Sequence, residues 1–230
     1  MNPTPNYRHE LKYQISKADH YALRQRLKNV MKRDPHTRQD GLYVIRSVYF
    51  DNFRDKALRE KIDGVPLREK FRIRYYNDDL SFITLEKKIK HNDLCMKIDA
   101  RITNEEYRKI LLSPGVWMLD HKDPLVRELY CKMKTQQLKP RVLVSYVREP
   151  FIYPVGNVRV TFDSEIRTSL FETSFADGYR SDISATDTPD TTILEVKFDT
   201  FLPEIIRDLL QSEELRQQAF SKYGACRRFG

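Results

Sequence analysis

Residues 69–88, EKFRIRYYNDDLSFITLEKK, decide how this chain folds. They read as two strands joined by a polar turn at Asn77-Asp78-Asp79. Side chains alternate faces along a strand, so Lys70, Arg72 and Arg74 share one face and Phe71, Ile73 and Tyr75 the other. In the second strand Thr84, Glu86 and Lys88 line one face, and Ile83 and Leu85 the opposite one. The apolar face must meet a core. Three cations in a row repel one another, so the charged face either is bathed in water or lines a cavity that takes up an anion.

The same alternation recurs outward from this hairpin. Arg8, Glu10 and Lys12 share a face in residues 7–15, and Lys97, Asp99 and Arg101 do so in 94–102. Tyr146 and Arg148 pair up in 141–149, Arg159 and Asp163 in 158–163, and Glu195 and Lys197 in 193–199. With residues 42–50 this makes about eight strands, mostly hairpin-like, which is what a small closed barrel needs. If the apolar faces pack on outer helices, the charged faces look inward, where buried cations require anions. The expected fold is α+β: an eight-stranded antiparallel β-barrel with helices packed outside, formed by residues 1–230 as a single domain.

Helix signals separate the strands. Ser16 is placed to cap a helix running to Met31, and Thr103 with Glu106 has capping-box spacing for a helix to Leu112. Asp51-Asn52 starts a helix over 54–62 that Asp63-Gly64 stops, and Asp123-Pro124 starts another. Pro203 opens a further helix, and Ser212 one that leads into residues 219–223. Pro150 and Pro154 read as bracketing a loop. Residues 172–192 are polar with few apolar anchors and read as a mobile excursion rather than a domain linker.

Composition narrows the function. The chain has 230 residues, 40% of them hydrophobic and 32% charged, which supports a real core. Lys plus Arg is 41 against 33 for Asp plus Glu, a net +8 that suits an anionic partner such as a nucleotide, polyphosphate, nucleic acid or membrane surface. Cys95, Cys131 and Cys226 are odd in number and far apart, which argues against a disulfide framework and a zinc site. No apolar leader or bilayer-length apolar run is found, so the expected location is the cytoplasm.

The residue types of the charged faces point to phosphate. Arginine's planar fork grips phosphate oxygens with two bonds, and lysine acts as a point charge. Glu10, Glu86 and Glu195 fit among phosphate ligands if Mg²⁺ or Mn²⁺ bridges carboxylate and phosphate. A single pair such as Glu195 and Lys197, taken alone, reads more simply as a solvated or salt-bridged strand face, and only the recurrence over several strands favours the phosphate reading. A nucleic-acid binder would instead show a basic stripe with exposed aromatics on an outer surface, so no nucleic acid is expected.

ELKY near the start, SVYFD, KFRIRYY, LEKK, YVRE followed by VRVTFD, then ILEVKFD and FSKY near the end form an ordered set. In this order, from about Tyr7 to Tyr223, the chain resembles the polyphosphate polymerase domain of the vacuolar transporter chaperone complex. That domain is one of the triphosphate tunnel metalloenzymes, the CYTH-like superfamily that includes thiamine triphosphatases, RNA triphosphatases and class IV adenylate cyclases. The resemblance implies an eight-stranded basic tunnel, a divalent ion on a glutamate, and transfer of the γ-phosphate of ATP onto a growing polyphosphate chain.

Carried over residue by residue, Lys12 would contact phosphate and the paired Arg72 and Arg74 would clamp the triphosphate. Lys88, Tyr146, Arg148 and Arg159 match further tunnel positions. Glu195 matches the metal-binding glutamate, with Lys197 beside it on the same ILEVK strand; Ser221 and Lys222 match the terminal SK element, and Glu10 and Glu86 are additional metal candidates. The chain departs from the pattern in two places. Arg8 and Glu10 stand where a tunnel hydrolase has a full ExExK, and Ala219 stands near the place of an expected lysine. The chain shows neither the SPX-type regulatory domain nor the membrane helices of the eukaryotic complex. A free-standing prokaryotic member is therefore expected, with any membrane or regulatory partner a separate protein. On the same scaffold, a triphosphatase, a nucleotidyl cyclase or a non-catalytic polyphosphate binder are the competing readings.

Overall fold

The computed structural model describes residues 7–169, 183–185, 191–211, 217 and 220–227. The first half of the chain forms β1 (Arg8–Ile15), α1 (Lys17–Lys28), β2 (Lys32–Arg33), β3 (Tyr43–Asp51), α2 (Lys56–Ile62), β4 (Leu67–Tyr76), β5 (Asp79–His91) and β6 (Leu94–Ile102). The second half forms α3 (Asn104–Leu112), α4 (Pro124–Thr135), β7 (Lys139–Tyr153), β8 (Val158–Ser169), β9 (Ile183–Ser184), β10 (Thr192–Phe198), α5 (Glu204–Leu209) and α6 (Lys222–Cys226).

Local chemistry explains the boundaries. Asn77 and Asp78 both have left-handed backbone, at φ 52° and 59°, which is the two-residue turn whose twist suits a tight hairpin. Asn and Asp tolerate that region better than other residues with a Cβ. Ser16 accepts from the Asp19 amide while Asp19 reaches back, and Thr103 and Glu106 do the same at α3, so both capping boxes close. Asp51 and Asn52 serve α2 from a distance: Asp51 accepts from the Ala57 and Leu58 amides, and Asn52 from those of Arg54 and Lys56.

Eight strands close a ring in the order β7-β3-β4-β5-β6-β1-β10-β8, with β8 returning to β7 and every pairing antiparallel. The two-residue β2 and β9 lie at its margins. The seam between β6 and β1 is the thinnest, with only Arg8↔Cys95 and His9↔Leu94 in register.

Pro150 does not open a loop. It lies inside β7 opposite Thr161 of β8. The pairing of β7 with β3 ends at Arg148, so the missing Pro150 N–H leaves no β3 acceptor unmet. Pro140 is accommodated at the register shift opposite Phe50. The readings of residues 172–182 and 186–190 as an excursion, of a helix from Ser212, and of Ala219 fall outside the described residues.

Three apolar clusters divide the work. The first joins Phe71, Ile73, Tyr75, Ile83 and Leu85 of the central hairpin to Tyr107 and Ile110 of α3 and Leu125 and Leu129 of α4. The second seals β8 and β10 with Leu23 and Leu27 of α1 and Ile206 of α5. The third lies on the inward side. Tyr43, Ile45 and Tyr49 share a face of β3, and Val142, Val144 and Tyr146 a face of β7, and they pack with Tyr223, Ala225 and Cys226 of α6. The charged lining therefore occupies only part of the ring's interior.

Candidate functional site: a basic cavity inside the ring

A cavity of about 690 Å³ opens inside the ring, lined by residues of β1, β3, β4, β5, β7, β10, α2 and α6. Eleven Lys or Arg and four Asp or Glu line it, a surplus that no solvated strand face would concentrate on its inner side.

Strand alternation delivers the central row. Arg74, Arg72 and Lys70 project from β4 while Phe71 and Ile73 between them enter the outer core. Glu86, directly opposite Arg72 on β5, accepts from Arg72 Nε at 2.6 Å and lies 3.8 Å from Arg74 Nη1. Arg72 also donates to the Tyr49 hydroxyl at 2.9 Å. Arg74 donates to Ser47 at 3.1 Å and to the Tyr146 hydroxyl at 3.2 Å. Both forks are thus held by side chains of β3 or β7. Burial would raise the Tyr49 phenol, but Arg72, Lys70 and Arg74 crowd it and bring it down to about 7. Tyr146 goes the other way, pushed up to about 12 by burial.

Across the cavity, Lys12 faces Glu195 and Glu10 faces Lys197 in the register of β1 with β10. Lys12 lies 3.6 Å from Glu10 and 3.8 Å from Glu195, and Lys197 lies 3.6 Å and 3.0 Å from the same two. Lys88 reaches Glu10 at 2.6 Å. Burial alone would raise both carboxyls, yet the lysines hold Glu10 at about 2 and Glu195 well below its ordinary range. Burial outweighs the carboxylates for Lys197 and lowers it to about 8.

Arg148 of β7 makes a two-pronged bond to Asp163 at 2.6 and 2.7 Å and reaches Glu195 at 3.2 Å. Lys222 meets Asp163 at 2.5 Å and lies 4.8 Å above the Tyr146 ring. Ser221, its neighbour, caps α6 by accepting from the Gly224 amide at 3.2 Å. The terminal element thereby places both of its expected residues on the cavity wall.

Of the expected residues, Lys12, Arg72, Arg74, Lys88, Tyr146, Arg148, Glu195, Lys197, Ser221, Lys222 and Glu10 line this one cavity. Glu86 stands behind it, committed to Arg72 and Arg74, with Lys97 3.5 Å away. Arg159 is not on the lining. Asp34, from the connection after β2, takes its guanidinium at 2.6 Å, as does the Tyr43 hydroxyl. Sequence reasoning does not single out Lys70 and Tyr49 on the lining, or Asp163 behind it. Lys70 and Asp163 were readable as members of charged faces, and Tyr49 as the inward residue of SVYFD alternating with Val48 and Phe50.

The carboxylates fit a hard divalent ion in a limited way. Glu10 and Glu195 share Lys12 and Lys197, and Glu10 Oε1 is buried without a hydrogen-bond partner. No group of three or more His, Cys, Asp or Glu forms a cage among the described residues. Two carboxylate oxygens with the remaining positions left to phosphate and water is a donor set that Mg²⁺ accepts.

The VTC domain profile matches residues 7–229. The chain belongs to the VTC domain family. Among solved structures, this VTC domain is similar to a protein of Pyrococcus horikoshii OT3, at 12% identity and a TM-score of 0.48, over 95% of this chain and 97% of that one. It is also similar to a suggested adenylate cyclase of Bacillus halodurans, at 16% identity and a TM-score of 0.47, over 90% of this chain and 87% of that one. At these values the likenesses carry no functional conclusion, and the closed ring is read from the VTC domain's own strand pairings. The curated proteins contain no match. No helix among the described residues is long and apolar enough to cross a membrane.

Proposed function

We propose that this VTC domain transfers the γ-phosphate of ATP onto the end of a linear polyphosphate chain held in the basic cavity. The observation that carries this reading is the enclosed surplus of cations, eleven against four on the lining. A cavity so charged is stable with a polyanion inside it. Arg72 and Arg74, each oriented by hydroxyls, would grip the triphosphate, with Lys12, Lys88, Arg148 and Lys222 around it. Glu10 and Glu195 would hold Mn²⁺ or Mg²⁺, which when bound neutralises charge on the phosphate oxygens.

The reaction balances without a strong base. A terminal phosphate oxygen of the chain, already anionic, attacks the γ-phosphorus. The bond to the β-phosphate oxygen breaks, and ADP departs with the electron pair. Phosphoryl transfer of this kind is mostly positioning and charge stabilisation, which fixed cations supply. Side chains of the ring hold the guanidinium groups of Arg72, Arg74 and Arg148, so little reorganisation is needed.

The test is to incubate the purified chain with ATP and Mn²⁺ or Mg²⁺ and to resolve the products on a phosphate-stained gel beside Glu195→Gln. A ladder of long phosphate chains, absent in the variant, is the expected result. Free phosphate without chain growth would replace polymerisation by triphosphatase activity, and a cyclic nucleotide would replace it by cyclase activity. Metal-dependent triphosphate binding without turnover would leave a carrier.

A further inference from the structure

Along the inward face of β4 the basic residues run from the interior toward the rim as Arg74, Arg72, Lys70 and Arg68. Strand geometry sets successive rungs about 7 Å apart. Protein counter-charge stops part-way along this row. Arg74 and Arg72 share Glu86 and meet the hydroxyls of Ser47, Tyr146 and Tyr49. Lys70 meets no carboxylate among the described residues. Its cross-strand partner is another cation, Lys88, whose ammonium is already taken by Glu10 at 2.6 Å. The adjacent Glu69 is taken by Lys87 at 2.9 Å and by Lys132 of α4.

What Lys70 does meet is aromatic. Its ammonium lies 5.2 Å from the centre of the Tyr49 ring and 6.0 Å from that of Tyr223. Like charges opposite each other on paired strands oppose folding, and the ring faces recover only part of that cost. Burial, together with Lys88, Arg72 and Lys12 nearby, lowers the Lys70 ammonium to about 8, while Tyr49 works against this. Tyr223 of α6 supplies the second ring.

We infer that Lys70, seated on the faces of Tyr49 and Tyr223 and met by no carboxylate among the described residues, is a further anion subsite one rung outward of the arginine pair. The subsite rests on the phosphate reading above for its ligand class. It takes an oxyanion of a linear phosphate chain where the chain continues outward past Arg72. It also gives the SVYFD element a role. Tyr49 supplies the ring under Lys70 and the hydroxyl that orients Arg72, and Asp51 anchors the second ring by accepting from the Tyr223 hydroxyl at 2.5 Å.

Calorimetric titration of the full chain with inorganic tripolyphosphate and with pyrophosphate, near neutral pH, tests this. Lys70→Met is expected to weaken tripolyphosphate binding about tenfold and pyrophosphate binding less, the size of one lost charged contact. The same variant, without ligand, is expected to unfold at a higher temperature than the wild type, because a desolvated cation has been removed. Lys70→Arg, which keeps the charge, is expected to keep most of the affinity. Lys70→Met binding both phosphates as tightly as the wild type overturns the subsite, and so does an equal loss in Lys70→Arg. A wild-type chain that binds neither phosphate removes the phosphate reading itself, whereas binding that is indifferent to Lys70 removes the subsite alone.

Discussion

The two walls inside the ring are built from the same kind of strand and end differently. Along part of β3 and β7 the inward residues are Tyr43, Ile45, Val142 and Val144, and α6 fills the space against them, while Tyr49, Tyr146 and Arg148 of the same strands reach the cavity. Under β1, β4, β5 and β10 the inward residues are Glu10, Lys12, Lys70, Arg72, Lys88 and Lys197, and space remains. One wall is filled by protein and the other borders the cavity. The difference shows that closing the barrel and building the cavity are separate tasks. Apolar filling fixes the ring's shape, and that fixed shape allows the basic wall to hold like charges together.

Asp163 is where the walls meet, fully buried between Arg148 and Lys222. Asp163→Asn removes the counter-charge of two buried cations, and a loss of about 3–5 kcal/mol of stability is expected in chemical denaturation. An unchanged midpoint would mean that the walls do not depend on this junction.

The next comparison separates the walls directly. Arg74→Ala is expected to lower turnover about a hundredfold or more while changing stability far less. Ile45→Ala, on the filled wall, is expected to cost about 2–5 kcal/mol of stability and to leave turnover per folded molecule nearly intact. Equal losses of turnover and stability in Arg74→Ala would remove its assigned role.

Much of the basic wall is legible in the sequence, because strict alternation of charge with Phe71, Ile73, Ile83 and Leu85 fixes which face is which. The filled wall is not. On β3 and β7 both faces are apolar, with Val48, Phe50 and Leu143 outward and Ile45, Val142 and Val144 inward, so periodicity carries no direction. Arg159 shows a second limit. Alternation puts it on the right face, but its partner Asp34 comes from a distant connection that no local pattern reveals. Pro150 shows a third, since its tolerance depends on where β3 stops pairing. Lys70 was visible as a charged-face residue, and only its lack of a carboxylate, a tertiary fact, distinguishes it from Lys88.

A smaller effect follows from pH. Lys70 and Lys197 are lowered to about 8 by burial. Between about pH 8 and the ordinary lysine range near 10, the unfolded chain keeps protons that the folded chain has released, so stability should rise, by about 1.4 kcal/mol per pH unit at most for each released proton. Tyr49, brought down to about 7, acts in the same direction. Tripolyphosphate affinity should fall over the same interval as the basic wall loses charge. On the acid side, the stability contributed by Glu10 is complete only above its ordinary value of 4.5 and is lost as pH falls toward about 2. Denaturation midpoints and binding isotherms across this range check both signs, and parallel movement of stability and affinity above pH 8 would contradict the two-wall picture.

The most direct test of the account is a crystal structure of the chain with tripolyphosphate and Mn²⁺. The account predicts phosphate oxygens on Arg72, Arg74 and Lys70, and the ion between Glu10, Glu195 and phosphate. Phosphate bound outside the ring, or an ion held away from both carboxylates, would contradict it.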